Sequence, residues 1–237
     1  MTVTSSLDYD FVYRLKYLKW FPIYGRLEGK VTVDIDNCIA FVERELSPKR
    51  FKHSLGVMQI MEELASVYAL DKTTAIMCGI LHDAAKEFPL DRQLEMAGKN
   101  NISLSMEYDS YPLFLHGPVG ACYIAEELGI TDPMLLDAIS HHSYFDNGVT
   151  VSPRLCWCLR FADILEPSRD WQDIKMQLKP LVYSGKVKEA AYEMMKWAIP
   201  FHESMLLPVH PNMHRVFQKL SVLMDEKTLD GIDSIPV

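Results

Sequence analysis

No apolar run in this sequence approaches the ~18–20 residues that a membrane-spanning helix needs. The opening stretch, residues 1–6, also lacks the basic and then apolar regions of a secretory signal. Both absences point to the cytoplasm as the expected location. Glycine is sparse, at 11 of 237 residues, and no segment alternates apolar with polar residues over the length of a strand, which argues against a sheet protein. Basic charge is short as well: 24 Lys and Arg against 32 Asp and Glu leave a formal net charge of −8. Without a basic stripe, a duplex nucleic acid is a poor partner, whereas a polyphosphate needs only metal ions or a few local cations. The cysteines are odd in number, five in all (Cys38, Cys78, Cys122, Cys156 and Cys158), so reduced thiols are expected rather than a disulfide framework. Cys156 and Cys158 form a C-x-C with no second cysteine pair to complete a zinc site, and read as core thiols.

What the chain does have is 49% hydrophobic residues recurring at helical spacing, enough for a sizeable core. Helices are expected over 8–21, 34–46, 49–69, 72–87 and 91–98, followed by an irregular stretch over 100–115. Gly117-Pro118 is then expected to open a helix that Gly129 closes, and Pro133 to open the next. A further helix fits 153–165. At least two amphipathic helices, separated near Pro208 and Pro211, complete the tail from Trp171 to Leu229. The expected fold is all-α and single-domain, with an N-terminal helical extension.

The informative residues are the histidines and certain aspartates. Asp83 follows Ile76, Gly79 and Ile80 by seven, four and three residues, so its carboxylate shares an apolar helix face with them. A carboxylate pointed into a core needs a compensating charge or a metal. His53 lies one turn before Val57 on a stripe continued by Ile60 and Leu64, and Asp163 lies one turn after Leu159. His116 stands immediately before the helix expected from Pro118, where backbone donors favour an anion. At His141-His142, the second shares a face with Leu135, Ala138 and Ile139, and the first with Met134 and Asp137. His142 is therefore the expected inward ligand and His141 the peripheral one. Taken singly, each is an ordinary core histidine or capping aspartate, as His202, His210 and His214 in the tail are expected to be. Together they would each need a separate buried partner, unless one metal centre serves them all. Histidine with carboxylate suits Fe, Mn, Zn or Co.

The order His53, His82-Asp83, Asp163 resembles that of the HD-domain superfamily. Four segments narrow it: RFKHSLGV (50–57), GILHDAAKE (79–87), LHGPVGA (115–121) and FADILEPSRDW (161–171). With them, the chain looks like the YqeK family of HD-domain metal-dependent phosphohydrolases, of the symmetrical bis(5'-nucleosyl)-tetraphosphatase type. The resemblance runs from about Asn37 to Leu220. It implies an HD domain over 36–225, with 1–35 as an extension and 226–237 as a tail. It also implies a dinuclear metal centre, of iron or alternatively Mn, Co or Zn. His53, His82, Asp83 and Asp163 would hold one ion, and His116 and His142 the other, with Asp83 between them. The implied substrate is diadenosine tetraphosphate, split at its centre into two ADP. The chain departs from the family in Ser143-Tyr144-Phe145-Asp146, where a threonine- and glycine-containing stretch is usual, which leaves base preference open.

Two metals can lower the pKa of a bound water and clamp phosphate oxygens. Lys86, one turn past Asp83, and Arg169, whose fork can bond two oxygens, are expected to meet phosphate, the former in a catalytic role. Glu166 is expected to orient a ligand or Lys86, and Tyr144 or Trp171 to stack on a base. The alternatives are another HD-type nucleotidase, an alarmone hydrolase, or a nucleotide-binding regulatory module without turnover. Retention of the whole ligand set argues against the last. The aromatic N-terminal segment, with Phe11, Tyr13, Tyr17, Trp20 and Phe21, is a candidate interface for a homodimer.

Overall fold

The computed structural model describes residues 34–102, 104, 111–143 and 150–225; the helix expected over 8–21 and its candidate interface lie outside them. The described residues contain helices and no strand. In chain order these are α1 (Ile35–Glu45), α2 (Pro48–Val67), α3 (Lys72–Leu81), α4 (Leu90–Lys99), α5 (Pro112–Leu128), α6 (Pro133–His141), α7 (Pro153–Leu165), α8 (Gln172–Tyr183), α9 (Val187–Ser204) and α10 (Pro211–Asp225). None is long and apolar enough to cross a membrane.

Local chemistry sets most of the starts. Asp34, Asp71 and Asp132 accept from the backbone N–H of Asn37, Thr74 and Met134 at 2.8, 2.8 and 2.9 Å, each such cap contributing about 1 kcal/mol. Pro48, Pro133 and Pro153 each open a helix, where their missing N–H costs nothing. Gly129 ends α5 in the left-handed region at φ 66°, a conformation that favours glycine.

Two boundaries differ from the sequence expectation. The helix expected over 72–87 stops at Leu81, and residues 82–87 form turns with i→i−3 bonds such as Lys86 N–H to Asp83 O at 2.9 Å. Glu87 then accepts from both the backbone N–H and the hydroxyl of Ser47, at 2.6 and 2.8 Å, tying this turn to the start of α2. The helix expected to open at Gly117-Pro118 instead begins at Pro112, so Pro118 sits inside α5 and His116 lies in its second turn. His116 therefore does not stand at a helix N-terminus, and the expected free backbone donors are not beside it. The tail holds α8, α9 and α10, in keeping with the expectation of at least two helices.

Two glycines let helices meet at backbone distance. A Cβ on Gly79 would lie 2.7 Å from the Met58 Cα, and one on Gly117 would lie 2.7 Å from the Ser140 carbonyl oxygen. The first contact draws α3 onto α2, and the second draws α5 onto α6. Around these crossings Met61, Leu64, Ile80, Leu81, Leu115 and Ile139 are buried in a shared core. All five cysteines are buried in that core and unbridged.

Candidate metal centre

The histidines of interest sit at helix ends or beside the close crossings, so short stretches of backbone bring their rings together. His53 lies in the second turn of α2, His82 just past α3, His116 in α5 and His142 just past α6. His53, His82 and Asp83 bring ligand atoms within 4.8 Å of one another, and so do Asp83, His116 and His142; every member of both groups is buried.

Hydrogen bonds fix which ring nitrogen faces the centre. The Nδ1–H of His82, His116 and His142 donates to the carbonyls of Gly79, Pro112 and Ile139 at 2.8, 3.1 and 2.7 Å. The Nδ1–H of His53 donates to the Glu166 carboxylate at 2.9 Å. All four Nε2 atoms consequently converge. His116 Nε2 lies 3.0 Å from His142 Nε2, and His53 Nε2 lies 3.3 Å from His82 Nε2. With both Nδ1 positions protonated, the His116–His142 contact sets two lone pairs face to face. That arrangement is repulsive by itself and is suited to a cation shared between them. The donor set thus fits a divalent metal.

Asp83, 2% exposed, divides its oxygens between the groups. Oδ2 faces His53 Nε2 and His82 Nε2 at 3.6 and 3.5 Å, while Oδ1 faces His116 Nε2 and His142 Nε2 at 3.2 and 3.7 Å. Burial pushes its carboxyl upward, but the surrounding His82, Lys86 and His116 outweigh this and hold it well below the usual range. Burial takes His82 down to about 4 and, joined by the Lys86 charge, His116 down to about 3, so both rings stay neutral and ready to ligate near neutral pH. His53 moves the other way: burial lowers it, but Asp163 and Asp83 raise it further. A proton would therefore compete with any metal for its Nε2.

The remaining expected residues fall as follows. Asp163 is half-buried beside the first group, its Oδ1 3.1 Å from His53 Nε2 and 2.7 Å from Arg169 Nη2. Lys86 Nζ lies 3.2 Å from His116 Nε2 and 4.0 Å from Asp83 Oδ1. Glu166 orients His53 rather than Lys86, and accepts in addition from the Ser168 backbone N–H and hydroxyl, both at 2.7 Å. Trp171 packs under the Arg169 guanidinium at 4.4 Å and against Trp197 and Phe201. Tyr144 lies outside the described residues. His141 is buried rather than peripheral, with its Nδ1 3.1 Å from Asp137 Oδ1 on the face those two residues share. Arg50 was missed by the sequence reading: its Nη1 donates to Asp83 Oδ2 at 2.9 Å. The available signal was its spacing, three residues before His53 on the same helix.

Since the Glu166 carboxylate fixes the His53 tautomer, Glu166→Ala is expected to weaken metal binding at the His53 group by about 10- to 100-fold. Isothermal titration with Mn²⁺ checks this, and an unchanged affinity would remove Glu166 from the site.

A family model described as HD domain matches residues 50–168. The symmetrical bis(5'-nucleosyl)-tetraphosphatase of Bacillus subtilis (strain 168) is 27% identical over 177 residues, covering 75% of this chain and 92% of that protein. The protein of the same description from Staphylococcus aureus (strain NCTC 8325 / PS 47) is 28% identical over 176 residues, covering 71% and 85%. Among solved structures, a predicted HD superfamily hydrolase involved in NAD metabolism from Clostridium acetobutylicum superposes with a TM-score of 0.72 at 26% identity. The match covers 81% of this chain and 98% of that one.

Proposed function

The chain belongs to the HD domain family, whose model spans residues 50–168, and from that membership we propose that it hydrolyses diadenosine tetraphosphate symmetrically, giving two ADP, at a dinuclear metal centre. The substrate class, a bis(5'-nucleosyl) tetraphosphate, is that in the names of the relatives above, which are matched over most of their own length. The observation that carries the chemistry is the convergence of the histidine Nε2 atoms on a carboxylate whose two oxygens face two different groups. In this reading His53, His82 and Asp83, with Asp163 beside them, hold one ion. Asp83, His116 and His142 hold the other. Iron is the proposed metal, with Mn, Co and Zn suited to the same donors. When bound, such a pair supplies an activated water at neutral pH and a clamp for phosphate oxygens.

The chain's own residues do the rest. The Gly79, Pro112 and Ile139 carbonyls and Glu166 hold each imidazole with Nε2 inward, so the ligand set is organised before any metal arrives. Arg50 and Arg169, with side chains 27% and 26% exposed, each hold a site carboxylate and retain further donors in a planar fork that matches phosphate. Lys86 adds a third cation, its pKa lowered chiefly by burial, at hydrogen-bond range of His116. These three cations are proposed to bind the tetraphosphate and to stabilise the charge of the departing ADP.

The test is product analysis with the purified, metal-loaded protein and diadenosine tetraphosphate. ADP as the sole product is the expected outcome. AMP plus ATP would overturn the bond choice. Absence of cleavage, with turnover of another nucleotide in a panel, would overturn the substrate.

A further inference from the structure

A charged residue in the middle of a wholly buried helix face demands a reason. Arg160 lies on α7 between Leu159 and Phe161 and is 2% exposed. Its guanidinium lies 4.8 Å from the ring of the fully buried Trp157, which in turn stacks on Phe161. Nε donates to the carbonyl of His142 at 3.1 Å, and Nη2 to the carbonyl of His141 at 2.6 Å. Those carbonyls close α6, where the helix has no further N–H to offer and a cation complements the negative end of its dipole.

The same backbone carries His142, whose Nδ1–H is held by Ile139 and whose Nε2 faces His116. On the other side, α7 carries Asp163, which lies 3.1 Å from His53. We propose that Arg160 is a positioning residue: its fork clamps the end of α6 to α7 and thereby fixes the His142 ring in register with His116 and Asp83. An ammonium carries its donors on a single nitrogen and lacks the planar fork that here spans the two carbonyls from Nε and Nη2. The His141 ring is held by the Asp137 side chain, whereas the His142 ring is held by a carbonyl of the helix end that Arg160 clamps, so the effect of losing the clamp falls on His142. The consequence for turnover rests on the metal-centre reading above, but the positioning itself belongs to the metal-free protein and is measured there.

The experiment uses full-length Arg160→Lys alongside wild type, both stripped with chelator, and long-range ¹H–¹⁵N correlation of the histidine rings. The expected result is one Nδ1–H tautomer for His142 in wild type, a mixture of tautomers in the variant, and unchanged His53 and His82 signals. A His142 pattern identical in both proteins would overturn the proposal. A through-hydrogen-bond coupling between Arg160 Nε and the His142 carbonyl in wild type reads the clamp without any variant; its absence would overturn the proposal even where Arg160→Lys does not fold. Mn²⁺ titration then separates the two readings. Weakening by about 10- to 100-fold at one group of ligands with the other preserved is expected, with kcat falling and KM little changed. Wild type that binds no metal would sink the metal-centre reading while leaving the tautomer result to decide the role of Arg160.

Discussion

Asp83→Asn is expected to abolish turnover, lowering kcat by more than about a thousandfold, equivalent to ~4 kcal/mol of transition-state stabilisation. Asp83 is the one residue common to both ligand groups, with Oδ2 turned to His53 and His82 and Oδ1 to His116 and His142. The amide keeps the shape but replaces one acceptor oxygen with a donor and removes the negative charge. Metal affinity should therefore fall at both groups together, whereas His142→Ala should leave the His53 group able to bind. Metal analysis after dialysis, beside the hydrolysis assay, measures this. Retention of a tenth of wild-type activity by Asp83→Asn would contradict the division of this carboxylate between two ions.

The largest effect on stability is expected away from the proposed metal ligands, at Asp137. This carboxylate is 2% exposed and takes the backbone N–H groups of Val151 and Ser152 at 3.1 and 2.9 Å, the hydroxyls of Thr150 and Ser152, and the His141 ring. It thereby pins the start of α7 to α6. Asp137→Ala leaves those donors buried without an acceptor and is expected to cost about 3–5 kcal/mol. At roughly 2–4 °C per kcal/mol for a chain of this size, the thermal midpoint should fall by about 6–20 °C. The pH dependence has a definite sign. Burial raises the Asp137 carboxyl, but His141 and the hydroxyl hydrogen bonds outweigh it and hold it below its ordinary value. Its contribution is therefore complete above the unfolded aspartate value of ~3.9 and is lost as pH falls through the lower folded value. Denaturant titrations across that acidic range should show a steeper loss in wild type than in Asp137→Asn. Equal slopes would show that this carboxylate is not the linked group.

How far the sequence foretold this depends on whether a feature is local. The start of α6 at Asp132-Pro133 and the span of α7 from Pro153 were legible because one cap or one proline decides them. The end of α3 was not. Ala84, Ala85 and Lys86 are good helix formers, so the pattern runs on past Leu81, and only the tertiary setting of His82 and Asp83 stops it. At α5 two prolines competed for the first turn, and the earlier one prevailed. The inward faces of His53, Asp83 and His142 were readable because a polar residue on an apolar stripe is conspicuous. Arg50 escaped notice among Lys49 and Lys52, where a basic run reads as a solvated surface. Arg160 and Asp137 escaped for another reason. The carbonyls that Arg160 holds lie 18–19 residues away and the loop donors to Asp137 13–15, and helical periodicity, which does pair Asp137 with His141, carries no information about these.

The five buried thiols give the folded chain a built-in reporter of its own opening. Burial pushes Cys38 up to about 11 and Cys122 up to about 12, so almost no thiolate exists near neutral pH, and the sulfur atoms lie out of a reagent's reach. An alkylating agent can then react only in molecules that have transiently opened. Cys38 sits in α1, Cys122 in α5, and Cys156 and Cys158 in α7. The order in which they are labelled in native buffer would map which layers of the bundle come apart together and which helix leaves first.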